Sequence, residues 1–276
     1  MRREIGPMLR LATPLALTEL GWMVMGVVDT IMAGRLNAAA VGAGTLGNML
    51  FYPIAICGAG MLLGMDTLVA QAFGAGDARD CRRSLVNGLW LALASSPPIW
   101  AVLLLLIPAL RASGVNPNVF AQFKPYLVAL LWGIPPLLFY AAFRRYLQAV
   151  NLVQPMLFAM ISANVLNVIG NWALMFGHMG APAMGLTGSG WSTTISRAYM
   201  AAVGVVAVLW HERRSGRLLL EVSWMPDLAR IAQLVRLGLP AALQILFEGS
   251  VFGLVTVWAA RLDEASLAAH SIAVQV

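Results

Sequence analysis

The sequence predicts an all-α polytopic membrane protein, a helical bundle with one six-helix lobe followed by the start of a second, parallel-repeat lobe. Three observations carry that prediction. Of 276 residues, 60% are hydrophobic and only 11% are charged, against about 25% charged in a soluble globular chain. The charges are bunched between long apolar runs, and the opening of the chain recurs near its end.

In order, the runs cover 11–34, 43–73, 84–110, 125–143, 152–178, 183–210 and 237–260, and another begins at 265–276. Each of the seven full runs supplies the roughly 20 residues needed to cross a hydrocarbon core. The first is too long, and too charged at its inner end, for a cleaved signal peptide. A net charge of +6 does not point to nucleic acid, because the basic residues sit at the ends of spans, where they act as topology signals. Cys57 falls inside the second span and Cys81 in the loop after it, so neither a structural disulfide nor a cysteine metal site is expected.

Alternate connectors differ in charge. The N-terminus and the even loops hold Arg2, Arg3, Arg10, Arg79, Arg82, Arg83, Arg144, Arg145, Arg213, Arg214, Arg217, Arg230 and Arg236. The odd loops hold only Arg35, Arg111, Lys124 and Arg261. The positive-inside rule therefore places the N-terminus in the cytoplasm.

Sliding the chain by 226 residues sets RLATPLALTEL (10–20) on RLGLPAALQIL (236–246), and TIMAGRLNAAAVGA (30–43) on TVWAARLDEASLAA (256–269), without a gap. Arg10/Arg236, Pro14/Pro240, Thr30/Thr256 and Arg35/Arg261 coincide. Six spans separate the copies, so both begin on the same side of the membrane. That is the parallel repeat of transporters built from two six-helix halves. The expected organisation is a first lobe over 1–215, a cytoplasmic connector over 216–235 and the start of a second lobe over 236–276. The chain reads as one that should continue for about five more spans, leaving the seventh helix short of packing partners.

Four acids lie in or beside spans: Glu19, Asp29, Asp66 and Glu248. A carboxylate at membrane depth costs at least a few kcal/mol and usually marks an ion or proton pathway. Asp29 is the leading candidate; capping its helix or pairing with Arg35 is the structural alternative. Glu248 sits near the middle of its run, whereas Glu19 and Asp66 fit structural and functional roles equally. Asn164, Asn167 and Asn171 in the fifth span share one helical face. They can join helices, ligate a cation or bond a carboxylate. The sixth span opens with small residues suited to close packing, followed by Ser192, Thr193, Thr194 and Ser196. Arg197 lies inside it and calls for a counter-charge, with Asp29 or the Asn167/Asn171 face as the expected partner. The histidines His178, His211 and His270 are scattered, and no HExxH, phosphate loop or Ser/His pairing appears, so an enzyme is not expected.

PLALTELGWMVMGVVDTIMAGRL (14–36), LVAQAFGAGD (68–77), RRYLQAVNLVQP (144–155), NVLNVIGNWALMFG (164–177) and GLTGSGWSTTIS (185–196) follow one another in an order that resembles the multidrug and toxic compound extrusion (MATE) family. GLPAALQILFEGSVF (238–252) and LAAHSIAVQ (267–275) resemble the opening of that family's second lobe. The resemblance implies twelve helices in two lobes around a central cavity when complete. It implies export of cationic or amphipathic drugs in exchange for inward Na⁺ or H⁺, and no cofactor beyond that ion. It also implies a monomer in the lipid bilayer of a bacterial inner membrane. The cation-coupling residues it implies are Asp29, Asn167, Asn171, Thr193 or Thr194, and Glu248, with Asp29 the possible Na⁺ ligand. Where some members carry a second acid in the fifth helix, this chain has Asn171. The alternative is a lipid-linked oligosaccharide flippase of a related two-lobe family, which would need a more cationic cavity.

Overall fold

The computed structural model describes residues 2–112, 117–214 and 223–259, with side chains described from Ala12 to Phe247 within those limits. All regular structure among the described residues is helical: α1 (Arg2–Gly34), α2 (Ala38–Met61), α3 (Gly64–Gly74), α4 (Ala78–Ala112), α5 (Pro117–Leu131), α6 (Ile134–Ala149), α7 (Gln154–Phe176), α8 (Leu186–Arg214) and α9 (Leu228–Ala259). Six spans are long and apolar enough to cross a membrane, and the bent pair α5–α6 makes a seventh. The chain is a multi-pass membrane protein. The far part of the sequence repeat, from residue 260 onward, lies outside the described residues.

Two of the expected spans are broken, each for a local reason. α2 and α3 together form one 37-residue span. It is interrupted at Leu62 and Leu63, where the amides turn to i−3 carbonyls (Leu62 to Ala59, Leu63 to Gly60). α5 and α6 meet at 44°. Pro135 and Pro136 open α6 and bring no N–H to the carbonyls one turn back. The indole N–H of Trp100 donates to the Leu131 carbonyl at 2.8 Å instead. Gly133 bonds back to Leu130, which frees the Ala129 carbonyl, and Thr194 Oγ1 donates to it at 2.8 Å. The bend is thus satisfied from α4 and α8, as a backbone in lipid requires.

Connectors sort to two ends. At one, Asn37 caps α2 by accepting from the Ala40 amide at 2.7 Å, and Gln122 of α5 donates to the same Asn37 oxygen. At the other, Arg83 of α4 pairs with Asp227 just before α9, and Arg230 of α9 pairs with Asp80. The Arg83 guanidinium, with the Arg230 and Ala229 amides, holds the half-buried Asp227 carboxyl below the usual carboxylate range. A buried knot lies at this same end. Tyr146 of α6 donates to Glu212 of α8 at 2.6 Å, and Arg82 of α4 lies 3.7 Å from the other Glu212 oxygen.

The first half of α9 does not lack partners, contrary to the sequence expectation. Gly60 of α2 leaves room for Ala242, Gly64 of α3 for the Leu234 backbone, and Gly238 of α9 for the Met61 backbone. Small residues on both surfaces let the backbones approach closely.

Candidate functional site

α1 packs along α7, and α7 along α8. The second contact is close because glycines supply it. A Cβ on Gly188 of α8 would run into the Leu174 carbonyl, and one on Gly170 of α7 into Ser192. The small-residue opening of α8, read from the sequence as a packing feature, therefore sets the spacing that follows. We expect Gly188→Ala to cost about 1–3 kcal/mol through overpacking and to part Thr193 from Asn167. Thermal unfolding in detergent measures this, and an unchanged midpoint would count against it.

Across that contact the polar side chains meet Asp29. Its Oδ1 accepts from the Asn171 amide at 2.6 Å and its Oδ2 from the Thr193 hydroxyl at 3.1 Å. Asn171 also donates to Asn167 Oδ1 at 3.2 Å, and Asn167 donates to Thr193 Oγ1 at 3.4 Å. Ser192 holds the Asn167 carbonyl at 2.9 Å. Three helices thus focus amide and hydroxyl donors on one carboxylate, and both amides are fully buried. One acceptor is left over: Asn171 Oδ1 is buried without a hydrogen-bond partner. A cation beside Asp29 would find oxygens of Asn171 and Thr193 in the same nest. That donor set is all oxygen and carries one charge, which suits Na⁺ or a proton better than a transition metal. Among the described residues no cluster of three or more His, Cys, Asp or Glu could hold a metal ion.

The other sequence candidates are placed differently. Thr194 turns its hydroxyl to Ala129 at the α5–α6 bend. Asn164 joins helices, donating to the Gly21 carbonyl of α1 at 3.1 Å. Glu19 pairs with Arg144 and Asp66 with Arg145 at 3.0 Å, so the two arginines of α6 tie down one acid each of α1 and α3. The side chain of Glu248 lies outside the described residues. Arg197 is 1% exposed, inside the lobe as expected of a charged residue at depth. It nevertheless has no carboxylate within 4 Å among the described residues. Its guanidinium lies over the Phe51 ring, 4.6 Å from the centroid. What the sequence reading missed is the aromatic lining next to it. Trp22, Tyr52 and Tyr140 join Arg197 around a cavity of about 540 Å³ between α1, α2, α6, α8 and α9. Trp22 and Tyr140 meet edge to face at 6.1 Å.

The MatE family model matches residues 14–173. The chain belongs to that family. Among relatives of this MatE chain, the probable multidrug resistance protein NorM of Mesorhizobium japonicum is 37% identical over 278 residues. The multidrug resistance protein PmpM of Pseudomonas aeruginosa is 34% identical. Alignment takes in 100% and 99% of this chain but 59% and 57% of theirs, so the chain spans under three fifths of their length. Solved structures agree in fold. A eukaryotic MATE transporter superposes with a TM-score of 0.83 at 17% identity, over 98% of this chain and 60% of the other. A MOP superfamily transporter from Pyrococcus furiosus gives 0.80 at 20% identity, over 97% and 58%.

Proposed function

We propose that this MatE chain works in a secondary active antiporter that exports cationic or amphipathic drugs in exchange for inward Na⁺ or H⁺. The observation that supports it is the Asp29 nest, a carboxylate in an apolar bundle ringed by adjustable donors and one unpartnered amide oxygen. Binding of a proton or Na⁺ removes the net charge. Asn171 presents either its amide N–H to an ionised Asp29 or, after the amide rotates, its oxygen to a protonated carboxyl or a cation. The two charge states thus favour different arrangements of α1, α7 and α8. Exchange follows if ion and drug prefer different arrangements of the lobe, since a ligand shifts an equilibrium only by its differential affinity. The multidrug resistance names of the relatives support the substrate class.

The flippase alternative needs free cationic groups for a pyrophosphate. Of the three arginines on the cavity, Arg144 and Arg145 are ion-paired, so the geometry favours drug export. Proteoliposomes carrying the transporter, with Na⁺ and H⁺ gradients imposed separately, test the proposal. Dye efflux driven by one of them is expected, and efflux indifferent to both would reject exchange.

We place the chain in a bacterial inner membrane as a monomer with its N-terminus in the cytoplasm. A reporter fused after Arg83 or Arg214 should then be cytoplasmic and one near Asn116 or Met179 extracytoplasmic. The reverse pattern would overturn that orientation.

A further inference from the structure

A second hollow lies on the α4, α6 and α8 side of the lobe, apart from the aromatic cavity and the Asp29 nest. Among the described residues α4 and α8 each pack along α6 but not along one another, which leaves a valley with α6 as its floor. The valley holds about 440 Å³ and its lining side chains are all apolar. Phe139 and Phe143 form the floor, Leu89 and Leu93 one wall, and Val205 and Leu209 the other. Leu93, Val205 and Leu209 are exposed. Gly204 lets α8 settle onto the floor, since a Cβ there would come within 2.9 Å of Phe143.

The walls run from Leu85 to Leu93 and from Ala201 to Leu209, about 12 Å along each helix. Half of a hydrocarbon core is about 15 Å, so the valley is one leaflet deep. About one turn further along each helix stands the knot of Arg82, Tyr146 and Glu212, where apolar lining gives way to charge. Two indoles line the valley as well, and the Trp90 N–H donates to the Trp224 carbonyl at 2.8 Å. Tryptophan gathers at the level of lipid headgroups. Arg213 follows Leu209 by four residues, on the same face of α8. Beside it Arg214 lies over the Trp210 ring at 4.0 Å, and both arginines are exposed. A partner helix crossing the membrane would need an apolar face about 30 Å long. A groove one leaflet deep, with cations at its polar end, matches an acyl chain and an anionic headgroup instead.

We infer that this groove is a binding site for an anionic membrane phospholipid, with one acyl chain along Phe139 and Phe143 and the phosphate held by Arg213 and Arg214. Such a lipid bridges α4 and α8 over the seam their side chains leave open. Through Trp224 it also touches the segment that leads into α9.

The test is titration of the protein in detergent with phosphatidylglycerol or phosphatidylcholine of identical chains, the first bound lipid being read by native mass spectrometry. Phosphatidylglycerol should bind about ten-fold more tightly, the worth of one charge-assisted bond. Replacing both cations, Arg213→Gln with Arg214→Gln, should bring the two lipids level and leave the lipid-free unfolding temperature unchanged. Val205→Trp, which fills the groove, should weaken binding of both lipids about ten-fold. Should that variant fail to fold, Leu209→Trp, at another exposed wall position, should give the same loss. Equal affinity of the unmodified protein for the two lipids, or a preference that survives the double substitution, would overturn the inference. So would undiminished lipid binding to a folded groove-filling variant, which would place the lipid elsewhere. A dimer in place of the lipid-bound monomer would show a second copy covering the groove, and would overturn it too.

Discussion

Asp29→Asn should reduce gradient-driven efflux to the level of passive leak while leaving the protein folded and inserted. The substitution keeps the shape of the side chain and one acceptor for the Asn171 amide or the Thr193 hydroxyl. It removes the only charge in the nest, so neither a proton nor Na⁺ would distinguish one arrangement of α1, α7 and α8 from another. A ligand with equal affinity for two states shifts nothing, however tightly it binds. Folding should survive because a buried carboxylate costs stability that a neutral amide does not. Efflux is measured in proteoliposomes beside a thermal-unfolding control. Efflux at the unmodified rate in the variant would end the coupling role. A variant that fails to insert would instead point to a structural carboxylate.

Glu212→Ala should produce the largest loss of stability among single changes outside the nest. Glu212 receives the Tyr146 hydroxyl at 2.6 Å and faces Arg82 at 3.7 Å, with both charged side chains less than a tenth exposed. Truncating one partner of a buried pair takes a counter-charge from the other, a cost of up to about 3–5 kcal/mol. Tyr146→Phe removes one hydrogen bond and should cost about 1 kcal/mol. Because the knot joins α4, α6 and α8, thermal unfolding in detergent should show the large shift for Glu212→Ala and the small one for Tyr146→Phe. Equal shifts would mean that the hydroxyl, not the charge pair, carries the knot.

Much of the architecture was legible because membrane insertion is governed by local composition. A run of about 20 apolar residues reports a span wherever it occurs, and a charge inside one is too costly to be silent. That is why Asp29 and Arg197 stood out from the sequence. The breaks were less legible. GIPP at 133–136 is a proline signal inside an apolar run. It reveals a place to bend, but not that Trp100 and Thr194 would supply the replacement donors. The break at Leu62 and Leu63 has no proline or polar mark. It becomes intelligible beside α9, whose Gly238 and Leu234 backbones press against that part of the span.

By itself the sequence determined the spans, the sorting of charge between alternate connectors and the set of polar residues at membrane depth. Those depend on residue type and on position along the chain. Only the tertiary structure decided which members of the set meet. Neighbours on a helix point about 100° apart, so the rotation of α8 sends Thr193 to Asp29 and Thr194 to Ala129. Glycine-spaced contact between α7 and α8 brings Asn167 to Thr193. The same rotation and spacing leave Arg197 over Phe51, without a direct ion pair to the carboxylate the sequence suggested for it. Helix rotation and separation are set by packing between segments distant in the chain, and a single chain's composition does not record them.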